Sequence, residues 1–147
     1  MKRALLMLCL AINGYADTID HYMNIANNIP QMEMKADPQS QAWARSARIV
    51  LTLTCDGIAD SLKLANDTAS QQGHALFCIS AGAQVTPEIL NDLIQQTYRS
   101  LPNSQTEKDK MTVSQIALLA MQKQYPCPGG GLPTKEINQS AVWGASH

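Results

Sequence analysis

The feature that most constrains the fold is a long helical periodicity in the first half of the chain. Between about residues 41 and 65, apolar side chains recur at steps of three and four, at Trp43, Ala47, Leu51, Cys55, Ile58, Leu62 and Ala65. Such steps place all of them on one face of an α-helix. The stretch Ile49–Thr54 is rich in β-branched residues and alternates in part, which is also typical of a short strand. Because the helical register continues through it unbroken, the periodicity favours a helix.

Three further segments show helical periodicity. They span about residues 17–34, 87–101 and 113–125. Thr86-Pro87-Glu88 supplies an N-cap, a proline at the first helical position and an acid in the first turn. Thr112 and Gln115 form a capping-box pattern at the start of the last helix. With loops expected over residues 66–85 and 103–110, the sequence predicts an all-α bundle of about four helices.

The N-terminal sixteen residues have the organisation of a cleavable secretory signal peptide. A basic start, Met1-Lys2-Arg3, precedes nine apolar residues from Ala4 to Ile12, and Asn13–Ala16 provides small residues before a break. Nine residues rise only about 14 Å as a helix, which is too short to span a bilayer. We therefore expect a periplasmic protein without a membrane span, whose mature part begins near Asp17.

Composition indicates one acidic domain in the mature chain. Loss of Lys2 and Arg3 leaves nine basic residues against twelve acidic ones, a formal charge of −3, which does not favour nucleic acid as a partner. Residues 17–127 are expected to form a single helical domain. From Pro128 to His147 the chain carries three consecutive glycines and little apolar content, which predicts a flexible tail.

The candidate chemical groups do not form a pattern that predicts catalysis. Cys55 and His74 could in principle pair, but Cys55 lies on the apolar helix face, where a cysteine behaves as a small hydrophobic residue. Asp56 and Asp60 share a helix face, whereas a metal site needs three or four converging ligands. We therefore expect a non-catalytic protein that uses no cofactor and no metal.

Three cysteines remain once residues 1–16 are removed, namely Cys55, Cys78 and Cys127. In an oxidising compartment two of them should pair and one should be left over. The gaps between neighbours, 22 and 48 residues, give neither a CxxC motif nor a zinc-ligand pattern. The residues alone leave the pairing open.

A series of short motifs follows in order between about residues 47 and 127. They are Gly57-Ile58-Ala59-Asp60-Ser61-Leu62, Phe77-Cys78, Val85-Thr86-Pro87 before Ile89, Tyr98 with Pro102, Ala117-Leu118, and Tyr125-Pro126-Cys127. In this order and spacing the chain resembles the Rap/Tai family of immunity proteins, which accompany type VI secretion systems. The resemblance implies a small helical periplasmic protein, often a homodimer, that binds a secreted peptidoglycan amidase and blocks its active site so that sister cells survive.

The same resemblance bears on the disulfide. Relatives commonly have a further cysteine at the position of Leu51 and another in the first helix, and this chain has neither. If those two pair with each other, the resemblance implies that the bond kept here joins Cys78 to Cys127 and that Cys55 is free. Closing the longer loop also constrains the unfolded chain more. A bond between Cys55 and Cys78 is the alternative, since the shorter loop permits it.

Occlusion of an enzyme requires an exposed segment that can enter its catalytic cleft. Residues 70–85 and 103–110 are the two candidates, and the second is favoured because it is polar, free of cysteine and placed between two helices. The expected partner-binding residues are Asn103, Ser104, Gln105, Thr106 and Glu107. The alternative function is a structural accessory of a secretion or conjugation system in the same compartment, because a disulfide-bonded helical body also fits that role.

Overall fold

The computed structural model describes residues 18–129, which form five α-helices and no β-strand. The helices are α1 (Ile19–Glu33), α2 (Pro38–Gln71), α3 (Pro87–Ser100), α4 (Gln105–Asp109) and α5 (Val113–Gln124). The predicted all-α class is therefore confirmed, with one more helix than expected. The signal peptide predicted over residues 1–16, and the predicted tail beyond residue 129, lie outside the described residues.

The longest helix, α2, carries the periodicity on which the fold prediction rests. Its 34 residues correspond to a length of about 51 Å. The Asp37 carboxylate caps its N-terminus by accepting a hydrogen bond of 2.8 Å from the backbone N–H of Ser40, and Pro38 occupies the first helical position. The strand considered for residues 49–54 does not form, because the helical register buries Leu51 and Cys55 on one face.

Two parts of the α2 prediction were wrong. The helix continues to Gln71, so the loop predicted over residues 66–85 is shortened to residues 72–86. Its last turns have a polar composition but keep Asn66 and Ala69 half-buried, which holds them in the helix. Trp43 and Ala65, both predicted on the buried face, are exposed. A step of four residues turns by 400° about the helix axis, which is about 40° more than one full turn. Three such steps separate Trp43 from Cys55, so the excess rotation adds up and Trp43 points away from the core.

The core lies between four of the helices. Both α1 and α3 pack on α2, and α5 packs on α3. The largest side chains with essentially no exposed surface are Tyr22, Ile19, Leu90, Ile94, Ile116 and Cys55. Complete burial of a side chain of the size of leucine or isoleucine contributes about 1.5–3 kcal/mol relative to its exposure. The apolar face predicted for the first helix is confirmed, since Ile19, Tyr22, Met23, Ala26 and Ile29 are all buried.

Gly57 lies in the middle of α2, where a glycine costs about 1 kcal/mol relative to alanine. Unlike Gly73 and Gly82, it does not have a positive φ. A Cβ placed on it would meet no atom of the described chain within 4 Å, apart from the backbone of its own helix. Neither the backbone conformation nor packing within the described residues therefore requires a glycine at this position.

Candidate functional site

A disulfide joins Cys78, in the loop after α2, to Cys127, just beyond α5. The bond spans 49 positions of the sequence, and the backbone N–H of Cys78 donates a hydrogen bond of 2.8 Å to the carbonyl of Tyr125. Cys55 is buried in α2 and free. The pairing implied by the family resemblance is thus confirmed, and the alternative bond between Cys55 and Cys78 is excluded.

The loop between α2 and α3 is held at a second point by Asn66. Its side-chain oxygen Oδ1 accepts hydrogen bonds from the backbone N–H groups of Leu76, at 2.8 Å, and Phe77, at 3.0 Å. The ring of Phe77 is buried in the core. The local sequence pattern does not reveal the role of Asn66, because its partners lie ten and eleven residues away, beyond a turn that local patterns do not fix.

This tethered loop forms one wall of a groove of about 660 Å³. Leu62 of α2, Phe77, Leu90 of α3 and Met121 of α5 contribute apolar surface. Asp60, Lys63, Asp67 and Gln84 contribute polar groups. The groove joins four elements that are distant in the sequence, so periodicity within any one of them could not reveal it.

The segment predicted to bind a partner lies between α3 and α5 and is partly helical. Asn103, Ser104, Gln105, Thr106 and Glu107 are all exposed. Ser104 is the N-cap of α4, and its backbone N–H donates to a carboxylate oxygen of Glu107 at 3.1 Å in a capping box. The prediction of an irregular loop over residues 103–110 was therefore wrong. The pattern Ser-x-x-Glu could have identified this short helix.

Polar contacts with Tyr98 of α3 hold α4 in place. The Tyr98 hydroxyl donates a hydrogen bond of 2.5 Å to the Asp109 carboxylate, and the Gln105 amide donates to both of these groups. The Lys108 ammonium is buried, 4.8 Å from the centre of the Tyr98 ring, and donates to the Tyr98 carbonyl. Burial raises the pKa of the Tyr98 hydroxyl above its usual value, and the bond to Asp109 acts in the same direction. These contacts thus hold the exposed residues 103–107 in place.

Cys55 takes part in a short buried polar chain. Its sulfur lies 3.1 Å from the hydroxyl of Tyr22, and that hydroxyl donates a hydrogen bond of 2.6 Å to the side-chain oxygen of Asn91. Burial raises the pKa of the Cys55 thiol, which disfavours the reactive thiolate. His74 lies beyond the end of α2, roughly 24 Å or more along the helix axis, so the structure does not bring these two residues together.

The other groups considered from the sequence lie apart. Asp56 and Asp60 are exposed on α2, and His21 is exposed on α1. Within residues 18–129, no three His, Cys, Asp or Glu side chains come together in a way that could hold a metal ion. In the same part of the chain, no helix combines the length and apolarity that crossing a membrane requires.

Comparison with protein-family models, with curated proteins and with solved structures gives no match to this chain.

Proposed function

We propose that this chain is a periplasmic immunity protein that binds a secreted peptidoglycan amidase and occludes its active site without chemistry of its own. The proposal starts from the resemblance to the Rap/Tai family. The motifs behind that resemblance are distant in sequence, yet several of them meet in space. Leu62, Phe77 and Val85 line one groove. Cys78, which is bonded to Cys127, directly follows Phe77 in the sequence. This clustering supports the view that the motifs describe one structural unit.

The observation that best supports the occlusion mechanism is that the segment Asn103–Glu107 is exposed and is held in place by contacts with Tyr98. A segment that enters an enzyme cleft loses least conformational entropy if it is ordered before binding. The capping box of Ser104 and Glu107 and the contacts of Gln105 beneath it provide that order. The side chain of Thr106 is exposed and makes no hydrogen bond within residues 18–129, so it is available to a partner.

The disulfide supports the proposed compartment. Disulfides persist mainly in oxidising environments such as the bacterial periplasm. Cys78 and Cys127 are bonded while the third cysteine of the described chain, Cys55, is protected in the core. Export by the predicted signal peptide over residues 1–16 would bring the chain to that environment.

The first step is to look for a peptidoglycan amidase among the neighbouring genes. The test then uses that enzyme and the purified mature protein. Thr106→Arg adds a bulky charge to the proposed contact without removing a contact that stabilises the fold. We expect it to weaken inhibition of peptidoglycan hydrolysis by about thirtyfold or more, as for a residue at the centre of an interface. Gln31→Arg, at an exposed position on α1, adds the same charge elsewhere and should inhibit like the unmodified protein.

The possible outcomes distinguish an error in the assigned binding segment from an error in the proposed function. If Thr106→Arg inhibits fully while both proteins form a complex in gel filtration, the assignment of Asn103–Glu107 is wrong and the amidase proposal stands. If no complex with an amidase forms, the amidase proposal is wrong. Recovery of a secretion-channel or pilus component from periplasmic extract would then favour the alternative, a structural accessory protein.

A further inference from the structure

The groove between α2, α3, α5 and the loop after α2 keeps apolar surface in contact with water. No element of residues 18–129 fills its volume of about 660 Å³. Among the side chains that line it, Leu62 and Val85 are half-buried and Ile79 is 39% exposed. Sites that bind compact ligands have volumes of about 300–1,000 Å³. The groove therefore has the size and the apolar walls to hold a few residues of a peptide.

The disulfide fixes the point at which the described chain leaves the fold, and that point lies beside the groove. Cys127 is bonded to Cys78, and their Cα atoms are 4.8 Å apart. Because consecutive Cα atoms are about 3.8 Å apart, the Cα atoms of Phe77 and Ile79 lie within roughly 9 Å of that of Cys127. Both of these residues line the groove. The chain beyond Gly129 therefore starts close to the wall of the groove.

The sequence beyond Gly129 contains one cluster of apolar residues. Ala141-Val142-Trp143 is the longest apolar run in residues 130–147, and Trp143 is one of the two tryptophans of the whole chain. A tryptophan side chain can remove about 150–250 Å² of surface from water when it packs. Residues 130–140 consist mostly of glycine and polar residues, which is the composition of a linker. This cluster therefore gains most from contact with an apolar surface within its reach.

The charges of the two partners are compatible with such a contact. Residues 137–146 carry no charged side chain, so their entry into the groove would bury no ionised group. The walls of the groove carry Asp60, Asp67 and Lys63, all of them exposed. Lys135 and Glu136, which precede the uncharged stretch, provide one charge of each sign for these groups. Polar groups at the rim thus do not oppose an apolar segment in the interior.

The length of the chain between Gly129 and Trp143 is sufficient for this contact. A flexible chain of about 14 residues has a root-mean-square end-to-end distance of roughly 20 Å, which exceeds the distance of roughly 9 Å from Cys127 to the groove wall. A short flexible linker gives a tethered segment an effective concentration in the millimolar range. A contact with a dissociation constant of about 0.1 mM between separate molecules would then be about nine-tenths formed within one chain.

We propose that residues 140–144, with Trp143 at their centre, bind in the groove of their own chain. The indole of Trp143 packs against Leu62 and Ile79, and the segment covers the apolar surface that residues 18–129 leave open. A partner that uses this groove must first displace the segment. The inference does not depend on the amidase proposal, whose binding segment is Asn103–Glu107.

The fluorescence of Trp143 in the purified mature protein provides the first test. Trp43→Phe leaves Trp143 as the single tryptophan. We expect its emission to lie at shorter wavelength than in urea, and its quenching by acrylamide to be lower than in urea by about fivefold or more, because most molecules hold the segment in the groove. Emission and quenching equal to those in urea would overturn the proposal. Protection that increases with protein concentration would show binding to another copy and would also contradict it.

Substitutions in the groove identify the surface to which Trp143 binds. Ile79→Glu and Ala83→Arg, each made in the Trp43→Phe protein, place a charge at exposed positions of the groove wall. Both proteins should keep their helical circular dichroism spectrum, and in both the quenching of Trp143 should rise to its value in urea. Ile89→Glu is the matched control, because Ile89 is 40% exposed, against 39% for Ile79, and does not line the groove. Protection of Trp143 that persists in both groove variants would show that the segment binds elsewhere and would refute the assignment.

Discussion

The Cys78–Cys127 bond allows the sharpest prediction about stability. Replacing both cysteines by serine removes the crosslink without leaving an odd thiol. In the chain-entropy account, closure of a loop of about 50 residues lowers the entropy of the unfolded chain enough to stabilise the fold by about 4 kcal/mol. The bond spans 49 positions and the fold around it is otherwise held by Asn66 and Phe77. We therefore expect the double variant to fold, with a free energy of unfolding lower by about 3–4 kcal/mol.

Urea unfolding followed by circular dichroism measures this difference. Because the bond acts mainly on the unfolded chain, its loss should leave a more expanded unfolded state and increase the dependence of the free energy on urea. Reductant added to the unmodified protein should reproduce both changes. Cys55→Ala measured with and without reductant is the control, since it keeps the bond and removes the remaining buried thiol.

A loss below about 1 kcal/mol would refute the reasoning, because strain in the native loop would then have to offset most of the entropic gain. An unchanged urea dependence together with a large loss would locate the effect in the folded state. In that case the contacts of Phe77 and Asn66, and not the crosslink, would be what the substitution damages.

Three further predictions concern single groups. Asn66→Ala leaves the N–H groups of Leu76 and Phe77 without their acceptor and should lower the free energy of unfolding by about 1–3 kcal/mol in the same urea assay. Cys55 should resist alkylation in the native protein and react fully in denaturant, and rapid native labelling would contradict its burial. Burial raises the pKa of the Tyr22 and Tyr98 hydroxyls in the folded state, so the folded chain keeps protons that the unfolded chain releases near pH 10. The free energy of unfolding should be insensitive to these groups below about pH 10 and fall above it, and Tyr98→Phe should reduce that fall.

Local sequence patterns predicted the helices well because caps and buried faces are local properties. Thr86-Pro87 and Thr112 begin α3 and α5 where the sequence placed them, with Thr86 and Thr112 accepting hydrogen bonds from Ile89 and Gln115. The helix α4 was missed because its five residues are too few to show a period. Its capping box, formed by Ser104 and Glu107, is the one local pattern that indicates it.

The surfaces of the protein were harder to predict than its core. Periodicity did not distinguish the exposed apolar side chains of α2 from its buried face. The steps of four residues therefore assigned Trp43 to the buried face, although it is exposed. The groove and the position of α4 depend on contacts between different elements, such as the contact of Tyr98 with Asp109. Such contacts are set by how the helices pack, which a single sequence does not specify. The role of Asn103–Glu107 remains a prediction for the binding experiment.

The position of the disulfide also has a consequence for the timing of folding. Its second cysteine, Cys127, follows the last helix, so the bond can close only after nearly the whole of residues 18–129 has been made and has reached an oxidising environment. Before that, a chain still in a reducing cytosol lacks roughly 4 kcal/mol of its final stability. If the chain is exported as we propose, this would be an advantage, because translocation needs an unfolded chain, whereas the folded protein must resist unfolding. The bond would thus distinguish a precursor that can unfold for translocation from a mature protein that resists unfolding.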